Sequence, residues 1–343
     1  MLGKVLLIYT GGTIGMNRNP KTGALEPFNF EHLLVNVPEL NAFDLEINTL
    51  QFDPPIDSSD MTPARWTELS HIIADHYNDY DGFVVLHGTD TMAYTASALS
   101  YMLENLTKPV IFTGSQLPIG QLRTDGKENL ITSIEIAAAK DEMGHARVPE
   151  VGIYFNGHLL RGNRTTKQSA EEFNAFESFN YPHLVDAGVN ITYHTERMLK
   201  PDWDKPMKPH FRLDNNVIIF SLFPGIREDF VRHIIATPNL KSIVMRTFGS
   251  GNAPQRPWVL HALKEATKNG KVVINISQCM QGTVEMGRYD TGYQLKEAGV
   301  ISGYDATVES AVTKLMFLQS HYKDPEQVRE LMRQSIRGEI TDN

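Results

Sequence analysis

The chain has 343 residues, 32 basic and 41 acidic side chains, and a net charge of −9. Apolar residues make up 41% and charged residues 21%, which excludes an intrinsically disordered chain and disfavours a nucleic-acid binder, since that needs a basic stripe. A single cysteine, Cys279, excludes an intramolecular disulfide. No apolar run approaches the roughly 20 residues of a membrane span, and the N-terminus does not read as a secretory leader. The expectation is a soluble cytoplasmic protein of two domains.

In chain order, short apolar runs at 4–9, 82–87, 109–114 and 151–155 predict strands. Most lack period-2 alternation, the pattern of strands buried on both faces of a parallel sheet. Thr62 and Pro63 read as N-cap and first residue of a helix reaching about His76, with Trp66, Leu69, Ile72 and Ile73 at helical spacing. Further helices are expected over 91–104 and 122–139. Alternating strand and helix predicts an α/β fold with right-handed crossovers. Residues 182–215 break the rhythm: "HTERMLKPDWDKPMKPHF" carries three prolines and no periodicity. The expected division is an N-terminal domain over 1–190, a linker over 191–214 and a C-terminal domain over 215–343. In the last, runs at 217–222, 242–246 and 272–277 alternate with helices near 226–236, 256–268, 307–319 and 325–336.

Four polar clusters could carry chemistry. "YTGGTIGM" leaves the first strand through two glycines, but its spacing fits neither phosphate-loop pattern, and the Asn/Pro/Gly-rich segment after it cannot begin a helix. Thr13 just past the turn is therefore either a buried loop threonine or a nucleophile, and residues 17–30 read as a lid over a site. "HGTDT" at 87–91 lies at a strand's carboxyl end, where open α/β sheets place ligands. Thr89, Asp90 or Thr91 could cap the next helix, yet that leaves the run of polar groups unexplained. "DSSDM" at 57–61 reads as a turn or as a grip on a zwitterion. "RGNRTTK" at 161–167 reads as solvated surface or as the source of a lysine base. The 12 histidines show no H-E-x-x-H and no Cys/His ligand spacing, so no metal site is expected. Cys279 reads as a small core residue.

Together, "YTGGTIGM", "DSSDM", "HGTDTMAYTASALSYMLENL", "KPVIFTGSQLP", "RGNRTTK", "GSGNAP" and "GVISGYDAT" resemble the bacterial-type L-asparaginases over nearly the whole chain, and within them the cytoplasmic (type I) branch. The resemblance implies a larger N-terminal α/β domain with a mixed sheet and a smaller, doubly wound C-terminal α/β domain. It implies cofactor-free hydrolysis of L-asparagine to L-aspartate and ammonia, and a homotetramer built as a dimer of dimers. Thr13 matches the nucleophile, and Thr89 the second catalytic threonine, backed by Lys167 and Asp90. Asp57, Ser58, Ser59, Thr89 and Asp90 match substrate-binding positions, and Asn252 one that reaches the site from a neighbouring subunit. Many relatives carry a tyrosine in the lid; residues 17–30 contain none, and Tyr289 is the best-matched substitute. Thr166, Arg246 and Cys279 match a second, regulatory asparagine site in some type I members.

Two other readings compete. One is a glutaminase-asparaginase, or the ammonia-generating subunit of a tRNA-dependent amidotransferase, against which the absence of an RNA-binding patch and of a long N-terminal extension weighs. The other is a non-catalytic amino-acid-binding protein, against which the joint presence of Thr13, Thr89, Asp90 and Lys167 weighs.

Overall fold

The computed structural model describes residues 3–18, 21–22, 25–27, 37–287 and 290–341. The chain divides into two compact units, Met1–Phe211 and Arg212–Asn343.

The N-terminal unit is built on an eight-stranded sheet. Its strands are β1 (Gly3–Tyr9), β2 (Leu45–Gln51), β3 (Gly82–Leu86), β4 (Val110–Thr113), β5 (Val151–Phe155), β6 (His158–Arg161), β7 (Val185–Ala187) and β8 (Ile191–Tyr193), in the order β8-β7-β6-β5-β4-β3-β1-β2. From β2 to β5 neighbouring strands are parallel, and from β5 to β8 antiparallel. The continuous apolar runs end up where their pattern requires: β1, β3, β4 and β5 are buried almost throughout. The alternating strand β2, "LEINTLQ", escaped the apolar-run criterion because it lies on the edge and is only half-buried.

Helices α1 (Pro63–Asp75), α2 (Met92–Met102) and α3 (Gly126–Ala138) cover the sheet. Leu130, Ile134 and Ile136 of α3 join Val5, Leu7, Val84, Leu86 and Ile111 in one core cluster. Thr62 and Thr91 occupy N-cap positions, but neither side chain makes a capping hydrogen bond. Within 191–214, expected to be a linker, the chain forms β8, a short turn at Thr195–Arg197 and a pairing of Lys208–Pro209 with Leu103–Glu104.

The C-terminal unit holds a parallel sheet of β9 (Val217–Ser221), β10 (Ser242–Thr247), β11 (Val272–Ser277) and β12 (Ile301–Ser302), paired in sequence order. Ile243, Met245 and Val273 pack with α4 (Glu228–Ile235), α5 (Pro257–Lys268) and α6 (Asp290–Glu297). Their strand neighbours Val244 and Ile274 are also fully buried, and α7 (Val308–His321) and α8 (Pro325–Met332) pack against the same strands. Both sheet faces are thus covered, as parallel sheets require. Among the described residues no helix is long and apolar enough to cross a membrane.

Candidate active site

Three loops leave the carboxyl ends of neighbouring parallel strands. Tyr9 is in register with Gln51 on one side and Leu86 on the other, so the segments after β1, β2 and β3 emerge side by side. Backbone contacts then lock them together. Thr10 donates both its N–H and its Oγ1 hydroxyl to Leu86 O at 3.0 Å, and Thr10 O accepts from Ile56 N at 2.7 Å. Thr10 is thus a structural threonine at the strand end.

The two glycines are required by space as well as by conformation. Gly11 has φ 137° and Gly12 φ 99°. A Cβ on Gly11 would lie 2.0 Å from Ile56 O, and one on Gly12 would lie 2.6 Å from Gly88 Cα. The turn therefore sits backbone to backbone on the HGTDT loop. A Cβ on Gly88 would in turn lie 2.5 Å from Ser58 Oγ, which places that hydroxyl against the same junction. The buried Tyr9 hydroxyl props the turn from beneath, donating to Gly12 O at 3.3 Å and Gly15 O at 3.2 Å. Burial raises its pKa to about 12, so it stays a donor. Thr13 opens the 3-10 turn Thr13–Gly15 and is half-buried.

The "DSSDM" residues form their own turn. Asp57 caps Ser58–Asp60 by accepting from Ser59 N and Ser59 Oγ, each at 2.9 Å. Ser58 is buried, and its carbonyl accepts from Thr91 Oγ1 at 2.7 Å. Thr91 thus ties two loops together instead of capping α2.

His87 is buried and neutral. Its Nδ1 donates to Gly88 O at 2.7 Å, since a carbonyl can only accept, and Nε2 accepts from Thr95 Oγ1 at 2.9 Å. Thr95 Oγ1 accepts in turn from Trp66 Nε1 at 3.0 Å. Burial pushes the His87 pKa down to about 4. This chain of hydrogen bonds supports the loop from below and spends both ring nitrogens on that task.

Lys167 completes the cluster across 77 and 78 positions of sequence. Its Nζ donates to Thr89 Oγ1 at 2.8 Å and to Asp90 Oδ1 at 2.7 Å. The lysine lies on a two-residue strand, Thr166–Lys167, paired with Phe176–Glu177. Most of the segment leading to it is no solvated surface: Arg161, Asn163, Arg164 and Thr165 are all buried. Arg161 pairs with the buried Glu150 at 2.6 Å and donates to Arg197 O at 2.7 Å, which anchors the approach to Lys167.

Thr13, Ser58, Thr89, Asp90 and Lys167 thus belong to one ring of loops on the N-terminal unit. Asn252, Arg246 and Cys279 lie in the C-terminal unit, Asn252 in a turn bridged to Phe248. Arg246 and Cys279 stand at the carboxyl ends of the adjacent strands β10 and β11. Cys279 is exposed, contrary to its expected place in the core, because it follows the strand into a turn where its N–H bonds Ser277 Oγ. Tyr289 and half of the expected lid, residues 19, 20, 23, 24 and 28–30, lie outside the described residues; Met16–Arg18 and Leu25–Pro27 pair antiparallel. Sequence reading missed the supporting pair Tyr9 and Thr95. The signal for Tyr9 was its place as the last strand residue before the glycines.

Two family models match the chain: "Asparaginase, N-terminal" over residues 4–199 and "Glutaminase/Asparaginase C-terminal domain" over 216–332. With the loop cluster they define a class, the two-domain asparaginase/glutaminase proteins. L-asparaginase 1 of Escherichia coli K12 is 44% identical over 338 residues, 98% of each chain. The 60 kDa lysophospholipase of Homo sapiens is 41% identical over 98% of this chain and 61% of its own. The crystal structure of L-asparaginase I from Vibrio cholerae superposes with a TM-score of 0.91 at 42% identity over the whole of both chains. The chain belongs to the asparaginase family, in its type I branch.

Proposed function

We propose that this protein hydrolyses L-asparagine to L-aspartate and ammonia through a covalent threonine ester. The observation that carries the reading is Lys167 Nζ, 2.8 Å from Thr89 Oγ1 and 2.7 Å from Asp90 Oδ1, with the Thr89 loop packed against the turn that presents Thr13.

Thr13 Oγ1 attacks the side-chain amide carbon, ammonia leaves, and water then cleaves the resulting acyl-enzyme. A threonine hydroxyl near neutral pH needs a base or relay. Thr89, Lys167 and Asp90 supply a hydroxyl, an amine and a carboxylate, the parts of a triad with lysine in the histidine role. Backbone N–H groups near Thr89 stabilise the oxyanion, a contribution on the order of 3 kcal/mol. Asp90 takes the substrate ammonium and Ser58 its carboxylate, with Asp57 and Ser59 shaping that turn. Asn252 from a neighbouring subunit and Tyr289 complete the site, in a cytoplasmic homotetramer made as a dimer of dimers. The N-terminal domain, residues 1–190, carries both threonines.

The test is ammonia release from asparagine and from glutamine by wild type, Thr13→Ala and Thr89→Val. Loss of release in both variants supports the mechanism; activity surviving both substitutions refutes it. Comparable rates on glutamine would favour the glutaminase-asparaginase reading. One methylene separates the two substrates and is worth only about 1–3 kcal/mol in a pocket.

One observation favours a second, regulatory asparagine site. Arg246 Nε is buried and has no hydrogen-bond partner among the described residues, a donor suited to a bound carboxylate. With Thr166 and Cys279 it makes the set expected for cooperative activation. A sigmoidal rate-versus-asparagine curve that turns hyperbolic in Arg246→Ala supports this; a hyperbolic wild-type curve, unchanged in that variant, counts against it.

A further inference from the structure

The N-terminal sheet carries a second concentration of ligating side chains on its antiparallel edge, built from β6, β7 and β8. His158 on β6 is directly opposite Asp186 on β7. His183 precedes Asp186 by three residues, and His194 follows the last residue of β8. The main chain fixes all four: Leu184 N bonds Leu159 O at 2.8 Å, Ala187 N bonds Gly157 O at 2.8 Å, and His194 N bonds Leu184 O at 2.9 Å.

The side chains converge on one carboxylate. Nδ1 of His158 and Nδ1 of His183 donate to Asp186 Oδ1 at 2.8 and 3.0 Å, and His194 Nε2 donates to Oδ2 at 2.8 Å. The His158 and His183 ring centroids are 4.1 Å apart. We propose that His158, His183 and Asp186 form a binding site for a zinc-like divalent cation.

Two observations support this. First, one ligand atom from each of the three residues falls within a common 4.8 Å. An ion bonded to nitrogen and oxygen at about 2.0–2.1 Å holds neighbouring ligand atoms roughly 3 Å apart, the spacing already present between each imidazole nitrogen and Oδ1. Metal entry replaces two N–H protons and asks the ligand atoms to part by a few tenths of an ångström. Second, outer partners are in place. His183 Nε2 faces Glu177 Oε1 at 3.6 Å, the carboxylate–histidine arrangement that orients a metal-bound imidazole. His194 holds the other Asp186 oxygen as a positioning residue.

The donor set selects the class of ion. Two imidazoles and one carboxylate suit zinc, copper, nickel or cobalt, whereas magnesium and calcium prefer all-oxygen shells. The side chains of His158, His183 and Asp186 are 41%, 29% and 43% exposed, so an ion can enter and water can fill its remaining positions. The expectation of no metal site rested on linear spacing, and these ligands are gathered by strand pairing instead.

The test uses the full chain after chelator treatment, with Zn²⁺ alone as probe. Calorimetric titration at pH 7.5 is expected to show one tight equivalent, weakened tenfold or more in His183→Gln, His158→Gln and Asp186→Asn. Binding should weaken as the solution is made acid, because protons and metal compete for the same ligand atoms. Crystals soaked in zinc chloride should show an anomalous peak at the zinc edge about 2.1 Å from both Nδ1 atoms. The histidine variants carry the test if Asp186→Asn fails to fold. Zinc binding unaffected by the histidine substitutions, or anomalous peaks only elsewhere, would overturn the proposal.

Discussion

Replacing Gly12 by alanine isolates what backbone packing contributes to the site. The new Cβ would lie 2.6 Å from Gly88 Cα, and ordinary contacts begin at 3.4 Å, so the two loops must part by about 0.8 Å. That separates Thr13 from Thr89 and Lys167, and a misplacement near 1 Å costs roughly a hundredfold in rate. Alanine must also adopt φ 99°, a strain of about 1–3 kcal/mol, which lowers Tm by roughly 3–10 °C in a unit of this size. The assay is steady-state ammonia release, read beside thermal unfolding. The control is Gly144→Ala, where φ is +82° but nothing lies within 4 Å of the added carbon: it loses stability and keeps kcat. If Gly12→Ala retains kcat/KM within about threefold of wild type, the claim that glycine contact sets the catalytic geometry fails.

Lys167→Met should lower kcat by about 10²–10⁴, with an unchanged far-UV spectrum; near-wild-type turnover would remove the lysine from the mechanism. His87 gives a pH signature. Its folded pKa, about 4, is below its unfolded value of 6.5, so the unfolded state binds more protons between them. Its contribution is complete above pH 6.5 and is lost as pH falls towards 4, a change of about 3 kcal/mol measurable by urea unfolding. His87→Gln should flatten that slope, and an equally steep slope in the variant would exclude His87 as its source. Arg161→Met leaves Glu150 buried without its ion-pair partner and should cost about 3–5 kcal/mol, most of it recovered by also changing Glu150→Leu. A single variant within about 1 kcal/mol of wild type in denaturant titration would contradict this.

Strands whose burial is two-sided were legible because an unbroken apolar run has few other uses; β1, β3, β4, β5, β10 and β11 all answer to runs in the sequence, and so does the half-buried edge strand β9. The edge strands β2 and β8 of the N-terminal sheet, and β7 beside β8, were not. β2 alternates and is half-exposed, and β7 and β8 are three residues each, too short for any period to register. At the site, the Gly-Gly turn and the HGTDT loop could be placed at strand ends from local pattern alone. Lys167 could not be brought to Thr89 that way, since tertiary packing of the buried 161–165 segment delivers it. Thr91, one of the residues read as a possible cap, bonds across loops to Ser58 O, because a hydroxyl beside a carbonyl donates wherever the acceptor is. The histidine cluster escaped for the same reason as Lys167: its order belongs to a ladder of paired strands.

The indole of Trp66 gives the site an optical reporter. Of the three tryptophans, it alone is hydrogen-bonded into the Thr95–His87 chain beneath the HGTDT loop and is only 5% exposed. Trp203 is 41% exposed and stacks on the His145 imidazole at 4.0 Å, and Trp258 is half-buried in the C-terminal unit. The short-wavelength component of the emission therefore belongs to an indole one hydroxyl removed from His87. With Trp203 and Trp258 replaced by phenylalanine, rapid-mixing fluorescence can follow that loop in the native enzyme without an attached dye.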